Sequence, residues 1–421
     1  MRRSLTPLVI ALLFALPASA QEILLDSYQT VGARATGMGG AHLGISDDAS
    51  ALYYNPAGLA RVQRPELSSS FVHSRLQNRS EFYGTSASDD IASSRLGGAA
   101  AAYPIPVYQG SFVLAVGYAK RANFDQGLRI EGYDAEARFE KNGFSRDRGA
   151  LGDFSLGGAL DLAVGLSLGV TGFVWEGENT FDQSLTLVDT QDAHGDTVRL
   201  FQRFESVDSY RSVGIKGGLL YVHPSGGRIG VTARPPVRVE VTSALADEYV
   251  DEYEDALDVY PVEQFTDHYA YDLPWEFGVG AAWSGRGITV AGDVVYSDLR
   301  KTAYDVPPTN VAANVDDFGS QYRSGPRVHF GIEYALSSQP LRFRAGYFRD
   351  PVRYVGGADV PEIEVQEERQ GVTLGASVEL QRVLTVDVAG VMNQHRFREG
   401  RREDNIRSLR VFATVSYRFP G

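Results

Sequence analysis

Apolar and polar side chains alternate along the last ten residues before Pro420. Val411, Ala413, Val415, Tyr417 and Phe419 fall on one face, and Phe412, Thr414, Ser416 and Arg418 fall on the other. Because successive side chains of a β-strand point to opposite sides, this pattern predicts a strand with one apolar wall and one mostly polar wall.

Segments with the same alternation recur back to Glu66. Turn residues bound these segments, and the pattern predicts fourteen strands: 66–76, 94–103, 110–120, 153–163, 165–176, 209–222, 227–243, 273–283, 287–297, 326–336, 340–349, 370–380, 383–394 and 407–419. Short connections alternate with long polar ones without a break, as in a barrel threaded up and down through a membrane with its short turns in the periplasm. The alternative is a soluble β-sandwich, whose strands also alternate but whose loops need not. We therefore predict an all-β fold, a 14-stranded antiparallel transmembrane β-barrel.

A barrel of about fourteen strands is too wide for wall side chains alone to fill. Residues 21–65 precede the first strand and show no strand alternation. We therefore expect residues 21–65 to form an N-terminal hatch that plugs the lumen, and residues 66–421 to form the barrel. The alternative is an open diffusion porin, which would leave this segment without a role.

The first twenty residues predict a secretory signal peptide. Arg2 and Arg3 precede an apolar run from Leu5 to Leu16, and Ala18-Ser19-Ala20 provides a cleavage site before Gln21. An uncleaved anchor is the alternative, but the apolar run is short for a membrane span. With a barrel behind it, this signal predicts the bacterial outer membrane as the location.

The amino-acid composition limits the classes of molecule that the protein is expected to bind. The chain has 421 residues and a net charge of -13, which disfavours nucleic acid because a phosphate backbone repels an acidic surface. It has no cysteine, which excludes disulfides and thiolate metal sites. Its 45 glycines and 22 tyrosines suit a barrel, in which glycine permits close packing and tyrosine lies at the lipid interface. We expect membrane lipid, lipopolysaccharide and the barrel insertion machinery as partners.

Candidate chemistry is sparse. The seven histidines lack metal-binding spacing, and no Gly-x-Ser-x-Gly elbow or phosphate-binding loop occurs. We therefore expect no enzyme, no metal and no cofactor. Residues 244–272 carry many Asp and Glu side chains interleaved with tyrosines. Such oxygen ligands suit a divalent cation, but a solvated loop explains them equally simply.

The N-terminal segment contains the most specific residues. Asp47 or Asp48 is expected to cap a short helix that runs to about Tyr54, and Asn55-Pro56 is expected to end it. The segment resembles the N-terminal hatch of the FadL/TodX family of outer-membrane transporters, which includes related PorV-like barrels. The residues that carry the resemblance are Gly37, Gly39, Gly40, Asp47, Asp48, Ala49 and Asn55-Pro56-Ala57. The chain departs from many barrels in ending with Pro420 and Gly421 after its last aromatic residue.

The resemblance implies passive uptake of hydrophobic small molecules, either long-chain fatty acids or hydrocarbons, through a plugged fourteen-stranded barrel. The hatch and gating residues would be Gly37, Gly39, Gly40, Asn55, Pro56, Ala57 and Gly58. Residues expected near the ligand are Leu52, Tyr53, Tyr54 and Leu59, and a kink that opens the wall is expected at Gly117. Some relatives serve secretion systems, so a scaffold or shuttle for a secretion or surface-assembly system is the alternative, and the polar long loops favour it.

Overall fold

The computed structural model describes residues 30–308, 319–356 and 363–420. The predicted signal peptide, residues 1–20, lies outside these ranges, as do residues 21–29 of the predicted hatch. Within the ranges described, no helix is long and apolar enough to cross a membrane. The dominant feature is one antiparallel sheet.

In chain order, the strands of this sheet are β1 (Glu66–Phe82), β2 (Thr85–Ile105), β3 (Phe112–Asn123), β4 (Gln126–Asp134), β5 (Phe139–Ala163), β6 (Leu166–Val188), β7 (Thr197–Val222), β8 (Gly227–Arg234), β9 (Val237–Tyr253), β10 (Leu257–Val259), β11 (Glu263–Leu273), β12 (Glu276–Gly285), β13 (Ile288–Ser297), β14 (Ala303–Val306), β15 (Arg327–Ala335), β16 (Leu341–Arg349), β17 (Ile363–Leu380), β18 (Leu384–Glu399) and β19 (Arg402–Arg418).

The sheet closes on itself because β1 pairs with β19 from Glu66↔Arg418 to Phe82↔Arg402. Closure leaves no open sheet edge, so every wall strand satisfies its main-chain groups within the ring. At two positions around the ring, two consecutive strands lie end to end and together form one strand of the wall. Both β8 and β9 pair with β7, on either side of Pro235-Pro236, and β12 and β11 pair with β8 and β9. Prolines lack the N–H that a ladder needs, which explains the break.

Counted around the ring, the wall therefore has fourteen positions, with β4, β10 and β14 as short additions. Each of the fourteen predicted strands coincides with one position, and the predicted barrel is confirmed. The predicted long loops are wrong in one respect. Segments 77–93 and 177–208 are mostly strand, and β7 alone runs for 26 residues. A membrane crossing needs only about 9–11 residues, so the wall continues far beyond the membrane on the side opposite the short turns.

The outer face of the wall is apolar where the strands cross the membrane. Leu156 and Val213 are 66% exposed and Leu374 is 70% exposed, whereas their neighbours Ser155 and Thr373 are buried on the inner face. Alternation has thus placed large apolar side chains outside and small polar ones inside. This is the arrangement of a barrel surrounded by lipid.

Arginine at Leu374 should reveal this lipid contact. Leu374 lies six residues from the short-turn end of β17, near the middle of the apolar belt, where a cation costs about 2–4 kcal/mol. We expect Leu374→Arg to lower the free energy of unfolding by that amount in urea titrations in phospholipid vesicles. The control is Leu257→Arg, since Leu257 lies in β10, outside the belt, and is also exposed. Equal effects of the two substitutions would mean that the belt does not face lipid.

Candidate functional site in the barrel lumen

The N-terminal segment, residues 30–65, lies inside the ring and contains three short helices. These are α1 (Ala33–Gly37) and the 3-10 helices η1 (Ala49–Leu52) and η2 (Pro56–Arg61). Asp48 caps η1 by accepting a hydrogen bond from the main-chain N–H of Ser50 at 3.0 Å, as one of the two predicted caps. Between α1 and η1 the chain is irregular, so most of its main-chain groups need partners from the wall.

Asn55-Pro56 starts a helix, which corrects the prediction that it ends one. The first helix has already ended at Leu52, and Pro56 is the first residue of η2, where its missing N–H costs nothing. The Asn55 side-chain oxygen accepts from the N–H of Ala57 at 3.2 Å. Its amide group donates to the carbonyls of Leu43 at 3.0 Å and Leu219 at 3.1 Å. Asn55 therefore caps η2 and also joins the segment to β7.

Polar side chains from several strands bind the main chain of the segment. The Asp293 carboxylate accepts from the N–H groups of His42 at 2.5 Å and Leu43 at 2.8 Å. Thr373 donates to Gly37 at 3.1 Å, and Lys216 donates to Tyr53 at 2.9 Å. Thr171 donates to Leu52 at 3.1 Å. The polar inner face of the barrel thus serves the segment rather than a column of water.

Glycines of the wall let the segment approach closely. A Cβ atom on Gly331 would lie 2.8 Å from the carbonyl carbon of Met38, and one on Gly157 would lie 2.8 Å from Leu52 Cδ1. Other wall glycines that face the segment in this way are Gly117, Gly169, Gly218, Gly230, Gly278, Gly280 and Gly346. Contacts this short exclude any side chain larger than hydrogen, so the segment is seated by the shape of the wall.

The predicted hatch glycines are part of the same seat. Gly39 and Gly40 have φ of 67° and 86°, a left-handed conformation that favours glycine. Gly39 faces the main chain of Tyr347, and Gly40 faces His329. Gly37 packs against Gly375, Ala57 is buried, and Gly58 packs on Ser46. In this structure all of these residues are tightly packed, and their role in gating stays a prediction.

Ion pairs hold the centre of the segment. The Arg34 guanidinium lies 2.5 Å from Asp47 and 2.8 Å from Asp48, and Arg228 of β8 also pairs with Asp47 at 3.1 Å. Burial alone would raise the pKa of Asp47, but Arg34 and Arg228 outweigh burial and hold that pKa far below its ordinary value. Burial lowers the pKa of His42 to about 4. Asp47 is therefore charged and His42 neutral at neutral pH.

A chamber of about 110 Å³ lies between the segment and the outer half of the lumen. Tyr53 and Tyr54 border it from the segment, and charged side chains of the wall border it from six strands and the stretch before β17. The charged residues are Arg121, Asp153, Lys216, Arg234, Glu276, Arg327 and Arg353. Five cations thus face two carboxylates around this small volume.

One of these cations, Arg234, is incompletely compensated. Glu276 lies 3.1 Å from Arg327 but 4.0 Å from Arg234 Nε, an ion pair without a hydrogen bond. Arg234 is only 4% exposed, and its Nε and Nη1 atoms have no hydrogen-bond partner within the described part of the chain. The Arg121 guanidinium lies over the Trp175 ring, 3.7 Å from its centre. Buried donors without acceptors are costly, so this chamber is suited to receive an anion.

Beyond the chamber, an apolar cluster occupies the outer half of the lumen. Its buried members are Ala122, Phe124, Leu151, Phe173, Trp175, Tyr210, Val237, Val239, Val241, Tyr269, Tyr271, Leu273, Leu299, Tyr322, Tyr354 and Ile363. Half of these side chains are aromatic, and Leu273 and Leu299 belong both to this cluster and to the lining of the chamber. An apolar region and a cationic region therefore adjoin along the lumen.

A second cavity, of about 60 Å³, lies on the other side of Tyr53. It runs between the segment and β1, β2 and β19, and is bordered by Glu66, Thr414 and Arg418. Val31 and Tyr53 line both cavities. The Tyr53 hydroxyl is buried beside Gly117 and has no hydrogen-bond partner within the described part of the chain. Val31 and Tyr53 therefore lie between the two spaces.

The four predicted ligand residues divide into two pairs. Tyr53 and Tyr54 line the chamber, and their contact with a ligand stays a prediction. Leu52 and Leu59 do not line it. Both are buried in a cluster with small wall residues, among them Ala100, Val113, Ala115 and Ala159. Their apolar side chains fix the segment to β2, β3 and β5, and their contact with a ligand stays a prediction.

The wall is continuous at Gly117, which corrects the predicted position of the kink. Gly117 pairs with Ala100 on β2 and with Ser155 on β5. The register shift in β3 lies between Lys120 and Ala122 instead. Gly117 is needed because Tyr53 packs against it, a reason that a strand viewed alone does not show.

Sequence reasoning missed the charged residues of the chamber. Lys216 and Arg234 stand at inward positions of otherwise apolar strand segments, which is the available signal. The acidic stretch 244–272 is mostly strand, in β9, β10 and β11, rather than a loop. Across the described ranges, no group of three or more His, Asp or Glu side chains is placed to hold a metal ion.

Solved structures resemble this fold over almost its whole length. A Pseudomonas aeruginosa FadL homologue is 11% identical, with a TM-score of 0.67 over 94% of this chain and 99% of that chain. The Pseudomonas putida toluene transporter TodX is 14% identical, with a TM-score of 0.64 over 94% and 100%. The Ralstonia pickettii toluene transporter TbuX is 14% identical, with a TM-score of 0.61 over 94% and 99%.

No protein-family model matches the chain, and no curated protein matches it. At such low identity the structural likeness establishes the fold, and it confirms at that level the resemblance found in the N-terminal residues.

Adding a methyl group at Gly331 should displace the N-terminal segment. We expect Gly331→Ala to lower the free energy of unfolding by about 1–3 kcal/mol, because the wall and the segment cannot both keep their positions. The same change should make the segment more sensitive to added protease. Gly217→Ala is the control, since a Cβ atom there meets nothing within 4 Å. Equal stability and equal protease resistance of the two variants would show that the seat tolerates a larger side chain.

Proposed function

We propose that this chain, which has the barrel fold of the FadL/TodX transporters, is an outer-membrane channel for passive uptake of hydrophobic molecules that carry an acidic head group. Long-chain fatty acids are hydrophobic molecules with an acidic head group, and they are the substrate class that we propose. No bond is made or broken, and consumption of the substrate inside the cell draws it inward. The N-terminal segment acts as the hatch.

The observation that carries this proposal is the incompletely paired Arg234 in a chamber of five cations. A carboxylate would accept hydrogen bonds from the free Nε and Nη1 donors and compensate buried positive charge. A neutral hydrocarbon would leave both donors unpaired. Two structural neighbours are named as toluene transporters, and toluene is given as the substrate of those two proteins only. The charged chamber favours an acid for this chain.

The apolar cluster supplies the place for the tail. The chamber of about 110 Å³ holds a head group but not a long chain, since pockets for whole ligands measure about 300–1,000 Å³. A tail must therefore enter among the aromatic side chains around Tyr210 and Tyr271, which this closed state packs together. Head and tail would then occupy the two adjoining regions of the lumen.

The exit passes Tyr53. Lys216 borders the chamber and donates to the Tyr53 carbonyl, so a carboxylate that attracts Lys216 would weaken the hold on Tyr53. Rotation of the Tyr53 ring would join the two cavities along the inner faces of β1, β2 and β19. This route needs only local movement of the segment.

One observation favours the alternative role, a scaffold for a secretion or surface-assembly system. The extended wall beyond the membrane has its own apolar cluster, formed by Leu128, Ile130, Phe139, Leu185, Leu187 and Leu200. Such a cluster stiffens an extracellular surface on which a partner could dock. A scaffold does not require cations in the lumen, which is why transport is the first choice.

Uptake by whole cells tests the function. The experiment compares cells that lack the gene with the same cells after complementation. Both receive a radiolabelled long-chain fatty acid, the alcohol of equal length, or a sugar. We expect complementation to restore accumulation of the acid most, the alcohol less and the sugar not at all. Unchanged acid uptake after deletion would eliminate the transport proposal and leave the scaffold.

Binding by the purified barrel tests the chamber. We expect Arg234→Gln to weaken binding of a long-chain carboxylate by about 10- to 100-fold, since a hydrogen bond to a charged group contributes about 1.5–3 kcal/mol. Binding of the alcohol should not change. Calorimetric titration measures both, and Arg203→Gln, an exposed arginine on the extended part of β7, is the control. Equal losses for acid and alcohol would point to a general distortion of the lumen.

Removing the Tyr53 ring tests the exit. We expect Tyr53→Ala to raise ion conductance of single barrels in planar bilayers several-fold, because the two cavities become one path. Tyr108→Ala, on an exposed turn between β2 and β3, is the control. If conductance stays at the wild-type level in folded Tyr53→Ala, the path does not pass this side chain.

A further inference from the structure

The outer face of the wall carries a groove of about 470 Å³ that the proposed transport does not use. It crosses β16, β17, β18, β19 and β1, on the opposite side of the wall from the lumen. Most of its lining belongs to two adjacent rows of outward side chains, which the pairing register of the strands places side by side. Arg349 lies beyond the lining, at the end of the upper row.

The lower row is mainly apolar. Leu409 stands opposite Met392, Met392 opposite Val372, and Val372 opposite Tyr347. Met392 is eight residues beyond the start of β18 at Leu384, which places it about 20 Å above the short turns for a strand tilted by about 40°. The apolar band of such barrels is about 25 Å tall. The lower row therefore lies near the outer edge of the membrane.

The upper row is polar and cationic. Arg407 stands opposite Gln394, Gln394 opposite Gln370, and Gln370 opposite Arg349. Arg407 and Arg349 are exposed on the outer face and have no ion pair within the described part of the chain. Two unpaired guanidinium groups thus stand just above the apolar belt, where lipid head groups lie.

The nearest carboxylates are already engaged. Arg75, at the end of the lower row, is held by Asp90 at 3.0 Å. Glu367, one step above Gln394, accepts a hydrogen bond from it at 2.9 Å. Neither carboxylate forms an ion pair with Arg407 or Arg349.

Below Met392 the belt has a gap. Gly390 is the next outward residue of β18, and a Cβ atom there would meet nothing within 4 Å. The flanking side chains Val411 and Leu374 stand opposite Gly390 on β19 and β17. The missing side chain leaves a furrow between Val411 and Leu374, two residues below the apolar row.

We infer that this groove binds a phosphorylated glycolipid of the outer leaflet. Its phosphates pair with Arg407 and Arg349, and one of its acyl chains lies in the furrow at Gly390. Arginine binds phosphate with paired N–H donors. The two arginines are three strand spacings apart, about 14 Å, so one head group reaches both only if two sugar units separate its phosphates. A glycerophospholipid has a single phosphate and reaches one arginine.

Native mass spectrometry of the purified barrel in detergent tests the inference. The probes are diphosphoryl lipid A, monophosphoryl lipid A and phosphatidylglycerol. We expect one tightly bound diphosphoryl lipid A, roughly tenfold weaker binding of the monophosphoryl form, and still weaker binding of phosphatidylglycerol. Equal binding of all three lipids would overturn the inference, because it would show only a coat of annular lipid.

Variants locate the site. Arg407→Gln combined with Arg349→Gln should weaken diphosphoryl lipid A binding at least tenfold, whereas Arg199→Gln combined with Arg203→Gln, on the extended wall, should leave it unchanged. Gly390→Leu keeps every charge and fills the furrow, so it should weaken binding several-fold, and it decides the matter if the arginine variants fold poorly. Undiminished binding in folded Gly390→Leu and in the double arginine variant would refute the site.

Discussion

The structure depends on one constraint, which is that an irregular polypeptide inside a wide barrel must find partners for its main-chain polar groups. An unpaired buried N–H or C=O costs as much as a lost hydrogen bond. The wall meets this need with two kinds of residue. Asp293, Thr171 and Lys216 bond directly to the segment. Glycines such as Gly331 let the two backbones come within reach. The polar inner face therefore has a structural cause, and it would be required even if no solute ever crossed.

The same constraint sets the order of the lumen. The segment fills the end near the short turns, and the aromatic cluster fills the opposite half, so the chamber is the remainder between them. Cations that face a small enclosed volume are poorly solvated. Glu276 compensates some of them, and the Trp175 face offers a further favourable contact to Arg121. Arg234 keeps two donors, Nε and Nη1, without a hydrogen-bond partner within the described residues. The binding property of the chamber is thus a consequence of how the two halves are plugged.

The sequence predicted the part of the fold that crosses lipid, because only there does alternation contrast an apolar face with a polar one. The extensions of β6 and β7 beyond the membrane have no lipid on their outer side, so their outward residues are mostly polar and the segments resemble loops in sequence. Asn55-Pro56 was misjudged because proline both ends and starts helices, and only the bonds of Asn55 decide between them. The chamber could not be predicted, since Arg121 and Arg353 are 232 positions apart in the chain and meet only when the ring closes.

The proposed acidic substrate is compatible with an acidic protein because of where the charges lie. The net charge is -13, and much acidity lies on the extended wall, in β9 to β11. At physiological salt, exposed charges act over only about 8 Å, so this acidity repels a carboxylate weakly at a distance. The tail, driven by burial among the aromatic rings, supplies the attraction that brings the molecule in. Once the head group reaches the chamber, water is scarce and each ionic contact counts for more than at the surface. In the proposed function, selection for an acid would therefore depend on the few buried cations rather than on the surface charge.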